Sequence, residues 1–104
     1  MIKQGDFKME NRYTRSDLEC FLNNSKEALK SHACLSDYRI GLFKESGFNV
    51  VIYDAEDHIM KRHNTKTIKD TCKFLCLLNN LLFSDVVNIN TDEDLFTLFE
   101  IIRN

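Results

Sequence analysis

Five cations crowd one short stretch of this 104-residue chain: Lys61, Arg62, Lys66, Lys69 and Lys73, with Asp70 the one carboxylate among them. Lys66, Lys69 and Lys73 recur at the spacing that puts side chains on one face of a helix. A helix starting there would add free N–H groups and its dipole to the side-chain charge, which suits an anion. The carboxylates gather elsewhere. Asp54, Glu56 and Asp57 fall in one run, and Asp92, Glu93 and Asp94 in another. Such clusters can offer negative charge to a basic groove on a partner, as nucleic acid does. Both patterns are also those of ordinary solvated surfaces.

Residue types suited to bond-making are present without a supporting arrangement. His58 and His63 lie near Asp54, Glu56 and Asp57. A nucleophile, a base and an orienting group must converge on one point, and this spacing does not suggest it. No catalytic residue is assigned, and the chain is not expected to be an enzyme. Cys72 and Cys76 are spaced i, i+4, and His32 and Cys34 sit close together. Structural zinc sites show paired close spacings instead, so no metal ligand and no cofactor are expected. The thiols, Cys20 included, are read as reduced. Free cysteine packs as a small hydrophobe, and disulfides are rare inside cells.

A chain of this length makes one domain. With 43% hydrophobic residues and eight Phe it has material for a core. The net charge of −2 argues against a general binder of nucleic acid or of a membrane surface. Residues 1–15 contain no apolar run of signal length. No window approaches the roughly 18 apolar residues of a membrane helix. A cytoplasmic protein without a membrane partner is the expectation.

The elements that must carry these residues follow from periodicity. Residues 1–14 read as an arm, with Ile2 or Phe7 available to touch the body. A capping box, Ser16 to Glu19, opens a first helix. Leu18, Phe21, Leu22, Ser25, Ala28 and Leu29 share its buried face. Tyr38 to Phe43 alternates as a strand, Lys44 to Gly47 turns, and Phe48 to Tyr53 is a second strand rich in β-branched and aromatic residues. Its run of consecutive apolar residues predicts a central strand covered partly on both faces. Asp54 to Asp57 turns again, and His58 to Arg62 is a weaker third strand. Loops this short force antiparallel neighbours and hence a meander.

Asn64 or Thr65 can cap a second helix over residues 66–83. Its second half is apolar nearly all round and must be covered on more than one side. The sheet, the first and last helices, or a second subunit could do so. Residues 85–90 form a connector or short strand. Thr91 to Asp94 opens a third helix, with acidic residues where the dipole favours them. The predicted class is α+β: a three-stranded antiparallel sheet packed against helices, order α-β-β-β-α-α, in a single domain over 15–104.

Over residues 15–83 this order resembles the double-stranded-RNA-binding domain. That family lays the Lys-rich start of its second helix across phosphates, and Lys66, Lys69 and Lys73 are similarly placed. Cys72 and Cys76 stand where the family uses small Ala residues. Two elements depart from the pattern. The Gly-Pro-x-His element between the first two strands is replaced by Glu45-Ser46-Gly47, and the Gly-rich approach to the second helix by Lys61-Arg62-His63-Asn64. With its added helix, the order also resembles small phage-encoded inhibitors of bacterial defence, including anti-CRISPR proteins. The leading expectation is a non-enzymatic inhibitor or adaptor that occupies a surface of a larger protein through its acidic clusters. One alternative is nucleic-acid binding through Lys61, Arg62, Lys66, Lys69 and Lys73. The other is a structural homodimer, formed through the apolar surplus of Phe74, Leu77, Leu78, Leu81, Leu82 and Phe83 together with Phe96 and Ile101.

Overall fold

The computed structural model of the protein describes residues 13–31, 37–84, 89 and 91–103. Helix α1 (Arg15–Ser31) is followed by strands β1 (Arg39–Lys44), β2 (Phe48–Tyr53) and β3 (Ile59–Thr65), then by helices α2 (Ile68–Leu82) and α3 (Asp92–Arg103). The class is α+β, and the strands form an antiparallel meander in the order β1-β2-β3. Most of the expected N-terminal arm, His32, Cys34 and most of the expected 85–90 connector lie outside the described residues.

Two tight turns set the register. Between β1 and β2, Ser46 and Gly47 both take positive φ, at 53° and 103°. A Cβ at Gly47 would lie 2.5 Å from the Thr65 carbonyl oxygen, so this position needs glycine for space as well as for φ. Between β2 and β3, Asp54 Oδ1 accepts the backbone N–H groups of Glu56 and His58, each at 2.9 Å. The register then assigns every strand residue to a face. Ile40 and Leu42, Phe48, Val50 and Ile52, and Lys61, His63 and Thr65 share one face. Gly41 and Phe43, Asn49, Val51 and Tyr53, and Arg62 and Asn64 share the other. A register irregularity beside Ile52 and Tyr53 leaves Met60 packed against the core while Ile59 pairs with Tyr53.

Helices α1 and α2 lie side by side on the first face and run in the same direction. Arg15 and Leu18 sit near Lys44, Phe48 and Ile68, while Lys26 and Lys30 sit near Tyr38 and Ile40. The buried Ser25 hydroxyl ties the pair, within reach of the carbonyl oxygens of Phe21 (2.9 Å) and Leu75 (3.2 Å). The apolar α2 receives the several covers it requires: the sheet, α1 and α3. Leu75 and Leu78 are wholly buried, and Phe74 meets Phe99 of α3 edge-to-face at 5.3 Å. Most of the apolar surplus is therefore consumed within the chain. Leu77, Phe83 and Ile101 stay exposed.

Element ends differ from the sequence expectation in a consistent way. β3 continues to Thr65 because its pairing with β2 persists to Phe48. Helix α2 consequently starts later and is capped by Thr67, whose hydroxyl accepts the Asp70 N–H at 3.1 Å. Helix α1 is opened by Thr14 and Asp17, which exchange hydrogen bonds of 3.0 and 3.2 Å, and not by Ser16. Thr91 and Asp94 do the same for α3. All three described helices thus begin with Thr-x-x-Asp; in α1 and α3 the two side chains satisfy each other's backbone as a capping box, while at α2 the Thr67 hydroxyl alone accepts the Asp70 N–H.

Candidate functional site

The five clustered cations do not share a surface. Lys61 faces the helices, with its Nζ 2.9 Å from Glu100 Oε2 and 6.0 Å from the centre of the Phe96 ring. Its charge is spent in the seam between β3 and α3. Arg62 follows it on a strand and therefore points to the opposite side of the sheet. Lys66 and Lys73 remain together, and Arg103 joins them from the end of α3. These three border a groove of about 470 Å³ between β3, α2 and α3. Lys69 is exposed on the same helix, outside the groove lining. Sequence reasoning missed Arg103 because it lies in an acidic segment far along the chain.

His63 forms part of the groove wall. Its ring stacks on Phe74 at 3.8 Å and 11°, and its Nδ1 is buried without a hydrogen-bond partner among the described residues. Burial first, and the nearby Arg103 second, hold its pKa below the ordinary histidine value. The uncharged ring is thereby favoured, as befits a ring packed on an apolar neighbour.

The acidic residues have divided duties. Asp54 holds the β2–β3 turn, and the backbone N–H of His58 is the main cause of its lowered pKa. Asp57 pairs with Arg39. Asp94 caps α3. Glu56, Asp92 and Glu93 are exposed. Phe96 and Glu100 lie by Lys61, and Ile102 and Arg103 by His63 and Lys66, so α3 runs along β3 in the same sense. The start of α3 therefore lies toward the end of the sheet that carries the Asp54–Asp57 turn. Carboxylates concentrate at that end and cations at the other.

Of the described cysteines, Cys20 is exposed and Cys76 half-buried. Cys72 is fully buried, and burial, with smaller contributions from Asp17 and Cys76, pushes its pKa up to about 11. Among the described residues no three His, Cys, Asp or Glu side chains gather to hold a metal ion. No described helix is long and apolar enough to cross a membrane.

The face of the sheet turned away from the helices is built differently. No described helix covers it. Phe43 and Tyr53 meet edge-to-face, 6.3 Å between ring centres, above Gly41. A Cβ at Gly41 would come within 3.1 Å of both rings, so the glycine leaves them room. The rings help to cover Val51, which is only 1% exposed despite lying on the open side. Phe43, Glu45, Asn49, Val51, Tyr53 and Arg62 border a hollow of about 220 Å³. Asn64 donates to Asn49 Oδ1 at 2.9 Å, and Asn49 donates to the Glu45 carbonyl at 2.9 Å, which stiffens one rim. Ile59 is 52% exposed and Phe43 47% exposed. Arg39 is engaged by Asp57, whereas Arg62 makes no ion pair among the described residues. The apolar run of β2 signalled cover on both faces, but not which residues would supply it.

Comparison of the chain with protein-family models, curated proteins and solved structures finds no match. Chemically, two surfaces stand out among the described residues. One is a flat aromatic face with a free guanidinium, and the other is a cationic groove with an apolar floor.

Proposed function

We propose that the protein is a non-catalytic binding module, of the inhibitor or adaptor kind, that occupies a surface of a larger protein with the open face of its sheet. One observation carries this. Phe43, Val51, Tyr53 and Ile59 form an apolar centre, with the uncommitted Arg62 beside it, on the side that the core does not need. Interface centres are enriched in aromatic residues and Arg, and such residues supply most of the binding energy. A sheet backed by helices also loses little freedom on docking. The partner would bring an apolar side chain to the hollow and a carboxylate to Arg62. Glu56, Asp92 and Glu93 at the acidic end would steer a partner with basic flanks. The likeness in element order to small phage inhibitors fits this mode of action.

The test is capture of a protein partner by the wild type and by F43A/Y53A/R62E. The triple variant should lose the partner while circular dichroism and a cooperative thermal transition show that it is still folded, at a lowered midpoint because Val51 loses its cover. Replacing Phe83, exposed elsewhere, should leave capture intact. Undiminished capture by the triple variant would remove the proposal.

A second function has a specific observation in its favour. The starts of α1 and α2 and the β1–β2 turn lie at one end of the sheet, as the resemblance to double-stranded-RNA-binding domains implies. Arg15, Lys44, Lys66 and Lys69 are found there. The turn, however, is three residues long and carries Glu45. This function predicts retention of an RNA duplex of about 16 base pairs. Binding at about 50 mM salt should disappear in K66E/K69E/K73E.

A further inference from the structure

We infer that the groove between β3, α2 and the end of α3 is a second docking site, which takes a short acidic peptide segment bearing one large apolar side chain. It is independent of the open sheet face and goes beyond the function proposed from that face.

Charge is the first support. Lys66, Lys73 and Arg103 border the groove against one carboxylate, Asp70. Arg103 Nη1 lies 3.5 Å from Glu100 Oε2, but that same oxygen is held at 2.9 Å by Lys61. One carboxylate shared between two cations leaves positive charge uncompensated. Such a patch attracts carboxylates and speeds encounter with them. Lys66 and Lys73 form no ion pair among the described residues, so a ligand need not displace an existing partner.

The floor is the second support. Leu77 is 50% exposed, and the half-buried Ile102 stands near it beside Phe74. These groups lie between cations that belong to different elements. A ligand that satisfied only the charges would leave this apolar surface wet. One Leu, Ile or Phe of a peptide, flanked by Asp or Glu, satisfies both. The groove volume of about 470 Å³ suits two or three side chains.

Nucleic acid fits less well for three reasons. Single strands bind by stacking bases on free aromatic faces. Here Phe74 is 4% exposed, with His63 on its face and Phe99 at its edge. Duplex RNA needs contacts on successive grooves, and this site provides one. Asp70 also borders the groove and would repel a phosphate backbone laid along it, whereas a peptide can place its carboxylates to avoid it.

The experiment selects a phage-displayed random peptide library on the immobilised wild-type protein at about 50 mM salt, where the electrostatic contribution is strong. Enriched peptides are then measured by fluorescence polarisation. The expected result is a family rich in Asp and Glu with a Leu, Ile or Phe at a constant position. Its affinity should fall tenfold or more in K66E/K73E, several-fold in Leu77→Ala, and steeply with added salt. The same peptides should still bind F43A/Y53A/R62E, so failure of this site and failure of the open face are told apart. Far-ultraviolet circular dichroism and thermal midpoints confirm that each variant is folded. A 20-nucleotide oligo(U) and a 16-base-pair RNA duplex serve as competitors. No acidic family, or one indifferent to K66E/K73E, overturns the inference. So does an RNA that displaces the peptides and is itself lost in K66E/K73E, since the groove would then belong to nucleic acid.

Discussion

The two faces of one three-stranded sheet do opposite work. On the helix side, Ile40, Val50 and Ile52 are at most 4% exposed and sit under α1 and α2. On the open side, Val51 is just as well hidden, but its cover comes from its strand neighbours Phe43, Tyr53 and Arg62. Side chains alternate along a strand, so neighbouring residues of β2 write both faces at once. One set of residues is committed to folding. The other leaves aromatic surface and a guanidinium exposed. If the proposed function holds, stability and recognition can be perturbed separately.

The sharpest way to break this comparison is to delete one large ring from each region. Phe99→Ala removes a wholly buried ring and should cost about 3–5 kcal/mol in denaturant titration. Phe43→Ala, on the open face, should cost about 1 kcal/mol or less. Equal losses would mean that the open face belongs to the core. The two strand-associated glycines provide a second contrast. Gly47→Ala must hold a side chain at a φ of 103° against the Thr65 carbonyl. It should destabilise by about 1–3 kcal/mol. Gly41→Ala meets only the ends of two ring side chains. It should leave stability nearly unchanged while shifting the ring resonances of Phe43 and Tyr53. Ser25→Ala, which unties α1 from α2 on the covered side, should lose about 1 kcal/mol.

The smallest effect is pH-dependent and again belongs to the covered face. The folded-state pKa of His63 is depressed by burial. As acid is added, the unfolded chain therefore takes up this proton first. The contribution of His63 to stability is complete above about pH 6.5, the ordinary histidine value. It is lost as pH falls from there toward the folded pKa. His63→Gln should flatten this part of the stability profile. Asp54 and Glu100 have lowered pKa values, through hydrogen bonds from the His58 backbone and from Lys61 respectively. Their contributions are present above the ordinary carboxylate range and vanish only as pH falls through the still lower folded values. An unchanged slope near pH 6 in His63→Gln would show that this ring does not titrate as its burial implies.

Strand alternation and short polar turns were enough to read the α+β class and the meander from sequence. The end of β3 was hidden for a physical reason. Its helix-facing residues are Lys61, His63 and Thr65, so the face that meets the helices carries no apolar signal. The expected strand already held Lys61 and Arg62, and alternation alone would have sent them to opposite faces; grouping the cations by their distance along the chain hid this, and the cations looked like one patch. Arg103 joins Lys66 and Lys73 only through the packing of α3, which no local spacing encodes. The helix starts were written in plain residues, Thr-x-x-Asp three times over. Ser16-x-x-Glu19 satisfies the same template two residues later, and only the hydrogen bonds of Thr14 and Asp17 distinguish the two.

The proposed function requires that the exposed aromatic face, and not the core behind it, meet the partner. Quantitative mass spectrometry of material captured by wild type, F43A/Y53A/R62E and Phe83→Ala measures this most directly. One protein should be retained by wild type and Phe83→Ala and be absent from the triple variant, with all three baits folded. A partner held equally by all three would contradict it.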